Sequence, residues 1–469
     1  GVTLAMGLLR AMVPFAPHDM PRLERVSVDW SVLLFALGLS LVTGLLFGVL
    51  PARRLARVHP ILALRDAARS ISSSRGQNRM HNWLVIAETA IGLVLLVGAG
   101  LLIHSFVRIL NVDPGFNARN ILTVRPGLSS DRYDGIKRYE FYNNLLPKLE
   151  ALPGVQSVAA SFPLPLSGEI DISFSIEGRP LAKGDHPSEQ LSVITPGFFH
   201  TLGIAVLQGR EFTPHDGVHE KPVIIINRSF AGKYFPGEDA LGKHIQPDLG
   251  DGITESTMRE VVGIVGDVKR KGLTEVAEPQ YYLPFAQAII TSPPICIRAA
   301  GDPQLLLNSA RARVAELDDS VPLYQVFTFN DLMTRSSAEP RFQMLLLTCF
   351  AVIALTLAAV SLYAVLSYMV AQRTVEIGLR MALGAERRDV LTMVLRRGLS
   401  LALAGVGIGL IISIFATRLM SSLLYGVRLS DAATYIGVIA VLLLVSLLAA
   451  GAPAYRAARL DPMETLRNQ

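Results

Sequence analysis

The chain has 469 residues, 51% of them hydrophobic and only 18% charged, with a mean hydropathy of +0.40. Soluble domains carry about 25% charged residues, so an ordinary soluble globular protein is excluded. Its two cysteines, Cys296 and Cys349, lie far apart and Cys349 sits in an apolar run, which argues against a disulfide framework.

In chain order, residues 1–15 are apolar but short and carry Arg10. Gly1 opens the chain inside this run, without a charged start or a cleavage site, so no signal peptide is expected there. The expectation is a fragment of a longer permease; the alternative is a true terminus with an interfacial helix. Five further runs, 31–50, 84–106, 343–370, 398–424 and 434–452, reach membrane length. A helix needs roughly 20 apolar residues to cross about 30 Å of hydrocarbon.

A basic signature follows two of these runs. Residues 51–67 read PARRLARVHPILALRDA and residues 453–469 read PAYRAARLDPMETLRNQ. They share Pro51/Pro453, Arg54/Arg456, Arg57/Arg459, Pro60/Pro462 and Arg65/Arg467, and Asp29 and Asp431 fall in the same register. A repeat so widely spaced, each copy following a span, implies a duplicated membrane module.

Arginine distribution sets the orientation, because basic residues mark the cytoplasmic side of short loops. Segment 51–81 carries seven Arg against Asp66 alone, and 371–397 carries Arg373, Arg380, Arg387, Arg388, Arg396 and Arg397. These segments and the C-terminus are read as inside, and the long polar stretch 107–341 as outside. The net charge of +5 is thus a topogenic signal, and no nucleic-acid partner is expected. Within the spans, Gly44/Gly48 and Gly405/Gly409 are small-xxx-small pairs that permit close helix approach. Glu88 and Arg418 lie near span ends and are expected to snorkel.

The outer segment is long enough for its own core. Residues 134–151 place Tyr139, Tyr142, Leu145, Leu146 and Leu149 at helical spacing. Short strands are expected at 157–162, 172–176, 193–195, 223–226, 261–265, 296–298 and 321–327, with helices at 303–316 and 330–334. That mixture implies an α+β domain with at least two small sheet-plus-helix lobes. Phe198, Phe199, Tyr281 and Tyr282 are expected in its core. Three patterns resemble sites without qualifying. Gly237–His244 approaches a phosphate-binding loop, but His244 stands where Ser or Thr must hold Mg²⁺. His215 and His219 have i,i+4 spacing, but Pro214 and Gly217 argue for a loop, so no zinc site is expected, and Asn227-Arg228-Ser229 is a glycosylation sequon only if the host glycosylates exported proteins. No catalytic constellation stands out, so no enzyme is expected.

The inner loop reads Thr374-Val375-Glu376-Ile377-Gly378-Leu379-Arg380-Met381-Ala382-Leu383-Gly384-Ala385, then Glu386-Arg387-Arg388-Asp389-Val390. Ile377, Met381 and Val390-Leu391 form an expected apolar stripe opposite Arg380, Arg387 and Arg388, with Gly384-Ala385 breaking the helix. Such a segment serves either as an interfacial amphipathic helix or as a coupling helix in the groove of a motor subunit.

The stretch E-I-G-L-R-M-A-L-G-A at 376–385 resembles the signature of FtsX-type permeases of ABC transporters. The outer segment resembles the MacB-like periplasmic core domain, through V-D-P-G-F at 112–116, L-P-G-V at 152–155, T-P-G-F-F at 195–199, F-P-G-E at 235–238 and V-G-I-V-G-D-V at 262–268. The ending Pro462-Met463-Glu464-Thr465-Leu466-Arg467 is similar to the family's own. The fold class expected is an α-helical membrane bundle, a four-span module plus the last two spans of a preceding module, with a large exported α+β domain. The division is 1–67 for the end of a first FtsX-like module and 68–81 for a cytoplasmic linker. A transmembrane helix at 82–106, the MacB-like core at 107–341 and the FtsX-like permease domain at 342–469 follow. The resemblance implies a multi-pass protein of the bacterial inner membrane that transmits motion from separate ABC ATPase subunits to the outside, with efflux or export as its use. ATP and Mg²⁺ would be bound by that partner and no cofactor by this chain. Glu376, Gly378, Arg380, Ala382, Gly384 and Ala385 would form the ATPase-coupling helix. The outer partner would be a membrane-fusion protein. If the chain is instead a signalling subunit that senses a peptide antibiotic or regulates a cell-wall hydrolase, the hydrolase takes that place; an inactive remnant is the third alternative.

Overall fold

A computed structural model of the chain describes residue 7 and residues 30–55, 74–179, 187–249, 257–289, 292–420, 423–426 and 431–459. The opening run apart from residue 7, and most of both signature copies (56–67 and 460–469), lie outside the described residues, as do the side-chain surroundings of Gly44 and Gly48. Two compact units emerge, residues 1–108 with 338–469, and residues 109–337.

The chain enters with α1 (Trp30–Leu55) and α2 (Ser74–Leu110). In the second unit, β1 (Ile121–Pro126) leads to α3 (Gly135–Glu150), whose N-cap Asp134 accepts the Lys137 backbone N–H at 3.0 Å. Then come β2 (Val155–Phe162), β3 (Asp171–Ile176), β4 (Ser188–Ile194), α4 (Phe198–Leu202), β5 (Val206–Gly209) and β6 (Val223–Asn227). α5 (Arg228–Tyr234), β7 (His244–Pro247), β8 (Arg259–Val265), β9 (Gln280–Pro284) and β10 (Ile295–Ala299) follow, then α6 (Leu307–Ala315), β11 (Leu323–Thr328) and α7 (Phe329–Ser336).

The strands run β11-β1-β10-β2-β4-β3-β7-β8-β6-β9, and β9 pairs back onto β4 in parallel, so six strands close into a ring with a four-strand antiparallel arm. The two lobes expected from the sequence are therefore one continuous sheet. The physical reason is β4: its first residues pair with β3 and its last two, Val193 and Ile194, with β2.

Side chains alternate across this sheet as strand geometry requires. Ile224, Ile226, Tyr281, Ile295 and Ile297 face one core with Phe141, Tyr142, Leu145 and Leu149 of α3. Val223, Ile225, Tyr282 and Cys296 face the other with Phe198, Phe199 and Leu202 of α4 and Phe329 of α7. The four aromatic residues expected in the core are at most 2% exposed, and burying each stabilises the fold by roughly 1.5–3 kcal/mol.

The chain closes with α8 (Ala338–Gln372), α9 (Thr374–Ala382), α10 (Arg387–Leu419) and α11 (Ala432–Ala458). Among the described residues, four helices are long and apolar enough to cross a membrane: His81–Leu110 of α2, and α8, α10 and α11. The Gly405/Gly409 pair is a close-packing seam. A Cβ at Gly405 would stand 2.6 Å from the Thr89 Cβ and 2.9 Å from the Ile86 carbonyl, and one at Gly409 2.9 Å from the Ala90 carbonyl. Near the far end of α2, His104 donates to the Asp431 carboxylate at 2.9 Å, and the Tyr425 N–H donates to Ser105 Oγ at 2.9 Å. Asp431 of the repeat thus ties the start of α11 to α2. Arg418 is exposed one residue before the end of α10, as snorkelling requires. Glu88 differs: its Oε2 is enclosed and has no hydrogen-bond partner among the described residues.

Candidate coupling surface

α8 ends at Gln372, and Arg373 turns the chain with φ −109° and ψ 14° before α9 begins. Ile377 is 2% exposed and joins Val390 and Val394 of α10, Leu362 and Leu366 of α8 and Ala454 of α11 in one cluster, with Met381 and Leu391 packed beside it. The stripe of Ile377, Met381, Val390 and Leu391 therefore faces the bundle. It anchors α9 and is not the surface presented outward, because both ends of the segment are spans that need covering at this level.

The outward face consists of other residues. Leu379 is 51% and Leu383 80% exposed, one helical turn apart. Beside them Glu376 meets Arg380 at 2.5 Å and Arg373 at 4.0 Å. Exposed pairs of this kind contribute about 0.3–0.5 kcal/mol, so their effect on stability is small. Arg380 also lies 3.6 Å from Met393 Sδ. Of the six residues expected to couple, Glu376, Arg380, Ala382 and Gly384 are exposed, Ala385 is half-buried, and Gly378 is buried on the inner face.

Gly384 ends α9 at φ +102°, a conformation that costs an L-residue dearly. Its N–H donates to the Met381 carbonyl at 3.1 Å and the Ala385 N–H to that of Arg380 at 3.0 Å. Glu386 then starts α10, its N–H donating to the Asp389 carboxylate at 3.1 Å. The whole segment is thus a short helix held between two fixed turns. Leu379 and Leu383 were missed from the sequence because α9 is apolar on both faces; their four-residue spacing was the available signal.

The patterns set aside in the outer unit occupy structural positions. Asn227 is fully buried. It caps α5 by accepting the Phe230 N–H at 2.8 Å, and it donates to the Glu278 carbonyl at 2.8 Å, so it does not act as a sequon. Gly237 and Gly242 are turn residues with φ near +75°, and Lys243 pairs with Glu238 at 3.4 Å. Burial pushes the Cys296 thiol up to about 12, which leaves it unreactive.

A helical membrane unit with an α+β unit inserted between its first and second long spans, and a short helix on the loop between its second and third, defines a permease-type membrane protein. Residues 87–317 match the MacB-like periplasmic core domain and residues 348–462 the FtsX-like permease C-terminal domain. The chain belongs to the FtsX/MacB type of ABC transporter permeases, and its α+β unit is the periplasmic domain of that type. Similar curated proteins include the macrolide export ATP-binding/permease protein MacB of Hahella chejuensis, 26% identical over 60% of this chain and 43% of that one. Another is the ABC transporter permease YknZ of Bacillus subtilis, 23% identical over 70% of this chain and 79% of that protein. The chain spans 43% to 61% of the length of the first MacB relatives, about half. Among solved structures, the periplasmic region of MacB from Actinobacillus actinomycetemcomitans is 18% identical, covering 48% of this chain and 95% of that one at a TM-score of 0.32.

Proposed function

We propose that this chain is the membrane subunit of an ABC transporter that carries ATP-driven motion from separate ATPase subunits, which bind ATP and Mg²⁺, to its periplasmic domain, in the service of export. The proposed location is the bacterial inner membrane, with residues 107–341 outside and the division 1–67, 68–81, 82–106, 107–341 and 342–469. The MacB relatives are named for both ATP binding and permease function; here the family matches lie on the permease and periplasmic parts. The observation that carries the proposal is α9. One face is anchored on the bundle by Ile377, and the other presents Leu379 and Leu383 flanked by Glu376 and Arg380. A helix with such a face suits a groove in a motor subunit, and rigid-body closure of that motor would move the spans attached to it.

The test is co-purification of the cognate ATPase with wild type, Leu379→Asp/Leu383→Asp and Glu376→Lys, with membrane insertion followed in parallel. Burial of one Leu is worth about 1.5 kcal/mol or more, so the double variant should lose at least about tenfold in association while inserting normally. Unchanged association in both variants would leave α9 as an interfacial amphipathic helix and remove the coupling role.

A further inference from the structure

A cavity of about 690 Å³ opens among the ends of α2, α8, α9 and α10 that lie away from the helix termini leading to the periplasmic unit. Its walls are of two kinds. Val365, Met369 and Met393, all half-buried, form an apolar floor with Tyr368, which is 41% exposed. Arg373, Arg396, Arg397 and His81 form the rim. A single carboxylate, Asp389, also lines it, and that one already accepts the Glu386 N–H. Among the described residues no ion pair or hydrogen bond engages the guanidinium of Arg396 or Arg397, and Arg373 reaches Glu376 only at 4.0 Å.

Unpaired arginines at a span end are ordinary topogenic residues by themselves. The partly exposed apolar floor beside them is what asks for an occupant, since apolar surface in water is unfavourable. A further membrane helix would have to cover several cations with apolar side chains, which is costly. A free inorganic anion would satisfy the rim and leave the floor wet. One class of molecule carries both a fixed anion and a hydrocarbon tail at this depth. Basic pockets between spans on the cytoplasmic side suit anionic headgroups, and ligand cavities of about 300–1,000 Å³ are typical for small molecules.

We propose that this cavity binds an anionic phospholipid of the inner leaflet, its phosphate among Arg373, Arg396 and Arg397 and the start of an acyl chain on Val365, Tyr368 and Met369. Because Ile377 also lines the cavity, the bound lipid braces α9 against the bundle. The proposal rests on the membrane setting of the bundle and is independent of whether α9 docks an ATPase.

The full chain, purified in detergent, is titrated with phosphatidylglycerol and with phosphatidylcholine of matched acyl chains, and retained lipid is read by native mass spectrometry. Phosphatidylglycerol should be retained about tenfold better, and Arg396→Gln/Arg397→Gln should lower its retention about tenfold, a loss of about 1.4 kcal/mol. Arg387→Gln/Arg388→Gln makes the same charge change on the same helix, α10, outside the cavity and should lower it less than about twofold. Ser400→Trp lines the cavity from an exposed position; it should lower retention with every arginine in place, so the outcome does not hang on one variant's folding. Equal retention of the two lipids, equal loss in both double variants, or full competition by inorganic phosphate would each overturn the site.

Discussion

Gly405 and Gly409 set how closely α10 approaches α2. Lipid tails are as apolar as leucine, so membrane helices associate through tight packing, and small residues make that packing possible. Gly405→Ala would place its Cβ 2.6 Å from the Thr89 Cβ with the Ile86 carbonyl at 2.9 Å. Overpacking of this kind costs typically about 1–3 kcal/mol. Gly407 sits between them with nothing within 4 Å of where a Cβ would stand. Gly407→Ala should be neutral or raise stability, since alanine favours helix by about 1 kcal/mol. Thermal unfolding of the detergent-solubilised chain should show a lowered midpoint for Gly405→Ala alone; equal behaviour of the two variants would refute the seam. A second residue-scale contact lies in the periplasmic unit. Hydrogen bonds from Ser320, first, and from Tyr133 hold the Asp318 carboxyl at about 2, below its ordinary 3.8. A lowered carboxyl contributes stability that is present above the ordinary value and is lost as pH falls through the folded one. The urea midpoint of segment 109–337 should therefore fall between about pH 4 and pH 2, and Asp318→Asn should flatten that part of the curve. An unchanged slope in the variant would show that other carboxyls carry the acid sensitivity.

At the scale of elements, the long spans were legible as unbroken apolar runs and α3 by its helical spacing: the run 84–106 lies within α2, and 134–151 encloses α3. Strands hid where polar residues are buried. The sequence marks β4 only at 193–195, yet Glu189 and Gln190 are inside, held by Lys233 and Tyr234 at 2.6 Å and by Glu278 at 2.5 Å. β9 hid because Gln280–Pro284 is buried on both faces and carries no alternation to read. β5 and β7 hid because four residues give no period. The candidate site was half legible: the segment and its Gly384 break could be read, whereas which face points outward depends on where α10 and α11 pack. Gly384 itself carries a prediction. Alanine at φ +102° is strained by roughly 1–2 kcal/mol, and relief of that strain would turn Leu383 away from its present direction. Gly384→Ala should weaken ATPase association by up to about tenfold with insertion intact, measured by the same co-purification; full association would mean that the exit geometry of α9 is immaterial to coupling.

At the scale of the whole molecule, charge asymmetry and the inserted periplasmic unit must describe one orientation. Segment 371–397 carries six arginines, whereas residues 109–337 form a unit with its own two cores. Moving that unit back across the membrane would require unfolding it, while each basic loop resists translocation, so the two features reinforce each other. Native cysteines leave the question open to labelling: Cys296 is fully buried and Cys349 lies within the α8 span. Val276 is 87% exposed in the periplasmic unit, and Glu386 is exposed between α9 and α10. In intact cells a membrane-impermeant maleimide should label Val276→Cys and not Glu386→Cys, and both should react once the membrane is permeabilised. Labelling of Glu386→Cys in intact cells with protection of Val276→Cys would invert the topology. It would then remove the inner-leaflet lipid site and the cytosolic position of α9 together, because both lie at the same end of the same helices.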